Sequence, residues 1–168
     1  MPEDYEGSEG PDNLDEPPSF FPYDMNGGER VPSGTGELVE VQIDGVFAAE
    51  NNGNISRFVL VSDGGRKLPI LIGPFEAQAI QLVIESTRPD RPMTHDLLRN
   101  IMERLGGSLD RVVIDDFWNT IYYAKLYIKT EKEEIEIDAR PSDAIALAVR
   151  FDAPIYVADS ILDAALEE

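Results

Sequence analysis

The chain has 168 residues, no cysteine and a formal net charge of −19. The lack of cysteine excludes disulfide bonds, thiol catalysis and zinc–thiolate sites, and the negative charge argues against a general nucleic-acid binder, which is usually basic on at least one face. No apolar run approaches the length of a membrane-spanning helix, and the N-terminus lacks a basic stretch followed by an apolar run, so a cytoplasmic protein is expected.

The composition changes at residue 36. Residues 1–36 carry nine acidic side chains against one Arg, a net charge of −8, and are rich in Pro and Gly. Such a segment buries too little apolar area to offset the entropy of ordering, so we expect a disordered acidic tail. Residues 37–168 are long enough for one domain with a core. Whether an apolar cluster in the tail is passive, docks on the domain or binds a protein partner stays open; it consists of Phe20, Phe21, Tyr23 and Met25.

Apolar periodicity and turn residues predict an α+β fold with mixed sheets. Strands are expected over Glu37–Phe47, Phe58–Val61, Leu68–Ile72, Arg111–Phe117, Ile121–Lys129, a half-buried segment with Ile135 and Ile137, and Pro154–Ala158. Helices are expected after Pro74, from Thr94 to Gly106, after Pro141 and over Ile161–Leu166, with Thr94, Ser142 and Ser160 as capping residues. The order is β-β-β-α, a linking helix, β-β-β-α and then β-α.

The two β-β-β-α units look like copies. When Leu68–Glu85 is shifted by 67 positions, Pro74 falls on Pro141 and Glu76 on Asp143 without a gap. We interpret this as an internal duplication whose copies pack about a pseudo-twofold. In the first strands, Ile43-Asp44 is matched to Ile114-Asp115. Coincidence between two strand–helix joints is the alternative, because Pro is common at helix starts.

Two apolar segments bear on assembly. The strand Ile121–Ile128 places apolar side chains on both faces, which predicts a second layer or a partner and therefore a homodimer. The helix from Thr94 carries an apolar stripe at helical spacing, formed by Leu97, Leu98, Ile101, Met102 and Leu105.

Polar residues that can carry chemistry fall in three places. They are the helix start at Glu76, the stretch with Arg91, His95 and Asp96, and the corner with Asp138, Arg140 and Asp143. A structural interpretation stays open for each of them. Acidic residues are common in first helical turns, a lone His often caps a helix, and Arg140 can pair with a neighbouring carboxylate.

Carboxylates with one His and a few Arg suit metal-assisted phosphodiester cleavage. In that hypothesis Asp138 and Asp143 hold Mg²⁺ or Mn²⁺, Arg91 and Arg140 bind phosphate, and the catalytic group is drawn from His95, Asp96 and Glu76. The alternative hypothesis is a non-enzymatic binding or assembly module whose polar corners are structural.

Three motifs, LPILIGPFEAQAI, RPMTHDLL and IDARPSDAIALAVRFDAPIYV, together resemble the bifunctional nuclease domain family of bacteria and plants. The resemblance covers residues 37–160 and leaves the acidic tail outside. It implies an α+β fold, a usually dimeric protein and, as in plant members, nuclease activity on RNA and DNA. It carries no settled catalytic set, so the roles above rest on chemistry. The strong negative charge departs from what a processive nuclease needs.

Overall fold

The computed structural model of the protein describes residues 36–166, so the expectations for the acidic tail fall outside the described part apart from Gly36. The strands are β1 (Leu38–Asn51), β2 (Asn54–Ser62), β3 (Lys67–Ile72), β4 (Ser108–Trp118), β5 (Ile121–Lys129), β6 (Glu134–Ala139) and β7 (Ile155–Ala158). The helices are α1 (Pro74–Ile84), α2 (Thr94–Arg104), α3 (Pro141–Phe151) and α4 (Asp159–Ala164). This confirms the predicted order of elements. None of these helices is long and apolar enough to cross a membrane.

The strands form one mixed sheet in the order β3-β2-β1-β7-β4-β5-β6. Strand β7 lies in the middle, antiparallel to β1 and parallel to β4. Each three-stranded unit therefore forms one half of a single sheet, and the predicted α+β class is confirmed. Helices α1 and α3 contact each other, and both contribute to the core that lies against the sheet. Ile80, Leu147 and Val157 are among its fully buried side chains.

The element bounds support the duplication. Strands β2 and β3 and helix α1 recur 67 positions later as β5, β6 and α3, with the same lengths. The strand register recurs as well, because Val59 faces Ile70 in the first unit and Leu126 faces Ile137 in the second. Coincidence does not explain a shared register across two strand pairs.

The match proposed for the first strands is wrong. Ile43 of β1 faces Val61 of β2. The equivalent of Val61 in the second unit is Ile128, and Ile128 faces Leu109 rather than Ile114. Strand β4 contains two register shifts, after Leu109 and after Ile114, whereas β1 contains one. The shifts after Ile43 and after Leu109 correspond to each other, so the sequence match to Ile114 lies five positions from the structural one.

The helix starts also differ from the predictions. The N-cap residues are Met93, Arg140 and Ala158, so Thr94, Ser142 and Ser160 lie inside their helices. The proline in the first position of α3 fixes the start of that helix before Ser142. In α2, the Asp96 carboxylate accepts the Met93 backbone N–H at 3.0 Å, which is the bond from N3 back to the N-cap in a capping box.

The apolar faces are covered differently from what periodicity predicts. Strand β5 buries Ala124, Leu126 and Ile128, but the ring of Tyr127 on its other face lies under the Arg111 guanidinium at 3.9 Å. Ile121 on that face remains 54% exposed, so the second layer or partner stays a prediction. Ile135 and Ile137 of edge strand β6 are 37% and 42% exposed rather than half-buried. Helix α2 buries none of its residues, and Leu97, Leu98, Ile101 and Leu105 are 41–81% exposed.

The homodimer stays a prediction, and the α2 stripe is where we expect it to form. Contiguous exposed apolar patches on soluble proteins usually mark interfaces. Light scattering at micromolar concentration should give a dimer mass, and Ile101→Asp should give a monomer that remains folded. Asn100→Asp, which adds the same charge at a neighbouring exposed position, should stay dimeric. A monomer mass for the unaltered chain would contradict the prediction.

The β2–β3 hairpin is tied to α4 by Arg66. Its guanidinium donates to Asp63 at 2.7 Å, to Asp159 at 2.8 Å and to Asp163 at 2.7 Å. Backbone N–H groups of Arg66 and Gly65, together with this guanidinium, lower the pKa of Asp63 to about 2. Three carboxylates from two separate elements thus share one cation.

This cluster predicts a specific acid response. The folded pKa of Asp63 lies below the unfolded value of about 3.9, so its stabilising contribution is complete above about pH 3.9 and is lost as pH falls through 2. A carbon-detected NMR titration should place Asp63 near 2. Arg66→Gln should raise that pKa only partly, because the backbone N–H donors remain. Full recovery to about 3.9 in Arg66→Gln would show that the guanidinium is the main cause.

Candidate functional site

Three helices begin at one cavity. It has a volume of about 260 Å³ and takes its walls from the first turns of α1, α2 and α3. The lining residues are Phe75, Glu76, Ala79, Met93, Thr94, His95, Arg140 and Asp143. First-turn N–H groups lack helical partners and carry the positive end of the helix dipole. The helix starts therefore add partial positive charge to a cavity that also contains the Glu76 and Asp143 carboxylates.

Asp143 joins His95 and Arg140. The His95 Nε2 lies 2.9 Å from Asp143 Oδ1, and the Arg140 Nε donates to Asp143 Oδ2 at 2.8 Å. The His95 side chain is 12% exposed, whereas that of Arg140 is 68% exposed. Asp143 therefore holds a mostly buried imidazole and an accessible guanidinium at the same carboxylate.

The electrostatics keep Asp143 charged. Burial raises the pKa of its carboxyl, but hydrogen bonds from Arg140 and His95 outweigh burial and hold the pKa below its ordinary value. An ionised carboxylate on Nε2 favours the tautomer that carries its proton there, which leaves Nδ1 of His95 as the basic nitrogen. This is the arrangement in which a carboxylate orients a histidine for proton transfer.

Arg140 also binds both acids that are equivalent in the duplication, Glu76 and Asp143. Its Nη2 donates to Glu76 Oε1 at 3.2 Å, and Glu76 is the equivalent of Asp143 after the 67-residue shift. The equivalent of Arg140 in the first unit is Gly73, and a Cβ there would overlap the Glu76 carboxylate. The second unit thus supplies the guanidinium of Arg140. The first unit supplies the Glu76 carboxylate that it binds, and Gly73 leaves room for that carboxylate.

Asp96 does not line the cavity. Its Oδ1 accepts from the Arg150 Nε at 2.7 Å, and Arg150 also donates to the backbone carbonyls of Ala79 and Ala146. Burial raises the pKa of Asp96, but the Met93 N–H and Arg150 outweigh it and lower that pKa. Arg150, with its side chain 4% exposed, fixes α2 against α1 and α3. Sequence reasoning missed it, although a lone Arg in an apolar helix was the available signal.

The other predicted residues lie elsewhere. Asp138 is exposed on β6, in register with Lys125 of β5, and Arg91 is exposed in the loop before α2. Among residues 36–166 no group of three or more His, Asp or Glu side chains can hold a metal ion. Both Asp143 oxygens are engaged by His95 and Arg140. Asp138 does not line the cavity that holds Asp143, and a Mg²⁺ or Mn²⁺ centre stays a prediction.

Fold and site define an α+β domain with a His–Asp–Arg constellation at three helix N-termini. The bifunctional nuclease domain model matches residues 58–168, more than half of the sequence, and the chain belongs to that family. It is 38% identical to an uncharacterized protein of Mycobacterium tuberculosis (strain ATCC 25618 / H37Rv), over 73% of each chain. It is 30% identical to Bifunctional nuclease 1 of Oryza sativa subsp. japonica, over 80% of this chain and 49% of the rice protein. It is 27% identical to Bifunctional nuclease 2 of Arabidopsis thaliana, over 58% of this chain and 31% of that protein.

Proposed function

We propose that this chain hydrolyses phosphodiester bonds of RNA and DNA at the cavity where α1, α2 and α3 begin. The observation that carries the proposal is the His95–Asp143–Arg140 constellation at three helix N-termini. It combines a proton-transfer group with an accessible guanidinium that can bind phosphate. Membership of a nuclease family supports the same chemistry.

In this mechanism Arg140 binds a non-bridging oxygen of the phosphate. Its side chain is 68% exposed, and a guanidinium can keep Asp143 on one edge while it offers its remaining donors to a second anion. His95 takes a proton through Nδ1 from the attacking water, whose oxygen bonds to phosphorus as the bond to the leaving oxygen breaks. Asp143 stabilises the resulting imidazolium. The imidazolium of His95 then donates its proton to the leaving oxygen.

Glu76 acts on Arg140 rather than on the substrate. Its side chain is 18% exposed, and its contact with Arg140 fixes the guanidinium above the cavity. Arg91 extends the phosphate-binding surface in this proposal, because it is exposed and starts only three residues before α2. Mg²⁺ or Mn²⁺ stays a prediction, to be decided by chelation.

The test is cleavage of end-labelled RNA and single-stranded DNA. His95→Ala should lower the rate by about 10²–10⁴-fold, the usual contribution of a positioned acid–base group. Asn100→Ala, an exposed change on the same helix, is the matched control and should cleave at the original rate. Each reaction is run with EDTA and with added Mg²⁺ or Mn²⁺. Equal rates for His95→Ala and the unaltered chain would exclude His95 from the mechanism.

The second candidate is a non-enzymatic assembly module. One observation favours it: the apolar stripe of α2 is exposed within one helix length of the cavity. In that case the ion pairs of Arg140 only fix the helix starts. Absence of cleavage on both substrates with every metal tested, together with a folded dimer, would favour this function.

A further inference from the structure

A second cavity lies on the other side of the first turns of α1. Its volume is about 440 Å³, and it is bounded by β1, β2 and α1. The lining residues are Val46, Phe47, Ala48, Arg57, Pro74, Ala77, Gln78, Gln81, Leu82 and Glu85. Nothing in the proposed chemistry uses any of them.

Arg57 is the unusual residue of this cavity. Among the Arg and Lys side chains of residues 36–166 that are not fully exposed, it is the one without a carboxylate partner in that part of the chain; the others pair with Asp or Glu. A half-buried guanidinium without a partner is unfavourable, and acidic side chains are abundant in this chain. No acidic side chain of residues 36–166 pairs with Arg57, so its guanidinium is available to bind an anion.

An aromatic surface and amides lie beside this cation. Phe47 stacks on Phe58 with ring centroids 5.7 Å apart, and 45% of Phe47 remains exposed at the cavity. Nucleobases stack on such rings in single-stranded nucleic-acid sites, where each stacked base contributes about 1–3 kcal/mol. Gln78 is exposed on α1 and presents an amide, a group that reads base edges by hydrogen bonding.

The two cavities share a wall. Pro74, Ala77 and Gln78 face the second cavity, while Phe75, Glu76 and Ala79 face the first. The separation is therefore about one helix diameter, roughly 10 Å. A strand of a few nucleotides spans that distance across the start of α1.

We infer that the Arg57 cavity is a subsite for single-stranded nucleic acid. Arg57 binds the phosphate of a nucleotide that flanks the cleaved bond, and Phe47 stacks its base. This inference rests on the proposed function for the identity of the substrate. It predicts that single strands bind in preference to duplex, whose bases cannot stack on a protein ring.

Binding is measured without cleavage, by fluorescence anisotropy of a fluorescein-labelled ten-residue thymidine oligonucleotide with the His95→Ala protein. Adding Arg57→Ala or Phe47→Ala should weaken binding about tenfold, equivalent to about 1.4 kcal/mol. Arg57→Ala should also lower the salt dependence by about one phosphate contact. Arg104→Ala removes the same charge from an exposed Arg at the far end of α2 and should change the affinity less than twofold. Thermal melting checks that each variant is folded.

The outcomes separate this inference from the proposed activity. If Arg57→Ala weakens binding while the unaltered chain cleaves nothing, the result supports the subsite and contradicts the hydrolytic function. If the unaltered chain cleaves and Arg57→Ala leaves both binding and KM unchanged, the subsite is overturned and the function stands. An oligonucleotide without bases should bind the Phe47→Ala protein and its parent equally; a remaining difference would overturn the stacking role.

Discussion

Replacing Asp96 with Ala is expected to destabilise the protein by about 2–4 kcal/mol, the largest single effect on folding that we predict. Arg150 is almost fully buried, and Asp96 is its carboxylate partner at 2.7 Å. Without Asp96 the guanidinium stays in the interior, satisfied only by the carbonyls of Ala79 and Ala146. The Met93 N–H also loses its acceptor. Urea denaturation followed by circular dichroism gives the free energy of unfolding.

A surface ion pair on the same helix provides the control. Arg99 and Glu103 pair at 3.1 Å with both side chains more than 40% exposed, so Glu103→Gln should cost less than about 1 kcal/mol. Replacing the buried pair together, as Asp96→Asn with Arg150→Met, should recover part of the loss because no unpaired charge remains. Equal destabilisation by Asp96→Ala and Glu103→Gln would contradict the role assigned to Arg150.

Replacing Asp143 with Ala is expected to lower cleavage by about 10²–10⁴-fold and to destabilise the protein by about 1–2 kcal/mol. The instability comes from His95 rather than from Arg140. Arg140 is 68% exposed and loses little when unpaired, whereas the mostly buried His95 loses its hydrogen-bond partner. Cleavage assays and chelator-treated melting curves measure the two effects separately.

Asp138→Ala distinguishes the constellation from a metal site. Asp138 is exposed on β6 and does not line the cavity, so its removal should leave cleavage and stability unchanged. A metal centre held by Asp138 and Asp143 predicts the opposite for cleavage. It also predicts that Asp143→Ala raises the melting temperature in chelator, since crowded carboxylates would be relieved. Either result would restore the metal hypothesis.

The sequence predicts the elements because their signals are local. Strand alternation, the proline at the starts of α1 and α3 and the glycine after α2 act within a few residues of the backbone they shape. The 67-residue repeat is also visible in one dimension, and the structure reproduces it in the bounds of β2, β3 and α1. Four of the seven predicted site residues line the cavity, because polar residues at helix starts are recognisable; they are Glu76, His95, Arg140 and Asp143.

Only the tertiary structure decides which of these side chains meet. Asp96 and His95 are neighbours in sequence, yet one turns to Arg150 and the other to Asp143, since adjacent residues on a helix point about 100° apart. Arg140 reaches Glu76, 64 positions away, because α1 and α3 pack with their first turns together. No local pattern encodes that packing. The same holds for the exposed stripe of α2 and for Arg57, which has no carboxylate partner among residues 36–166. Their exposure and pairing depend on how distant segments pack, which no local sequence pattern encodes.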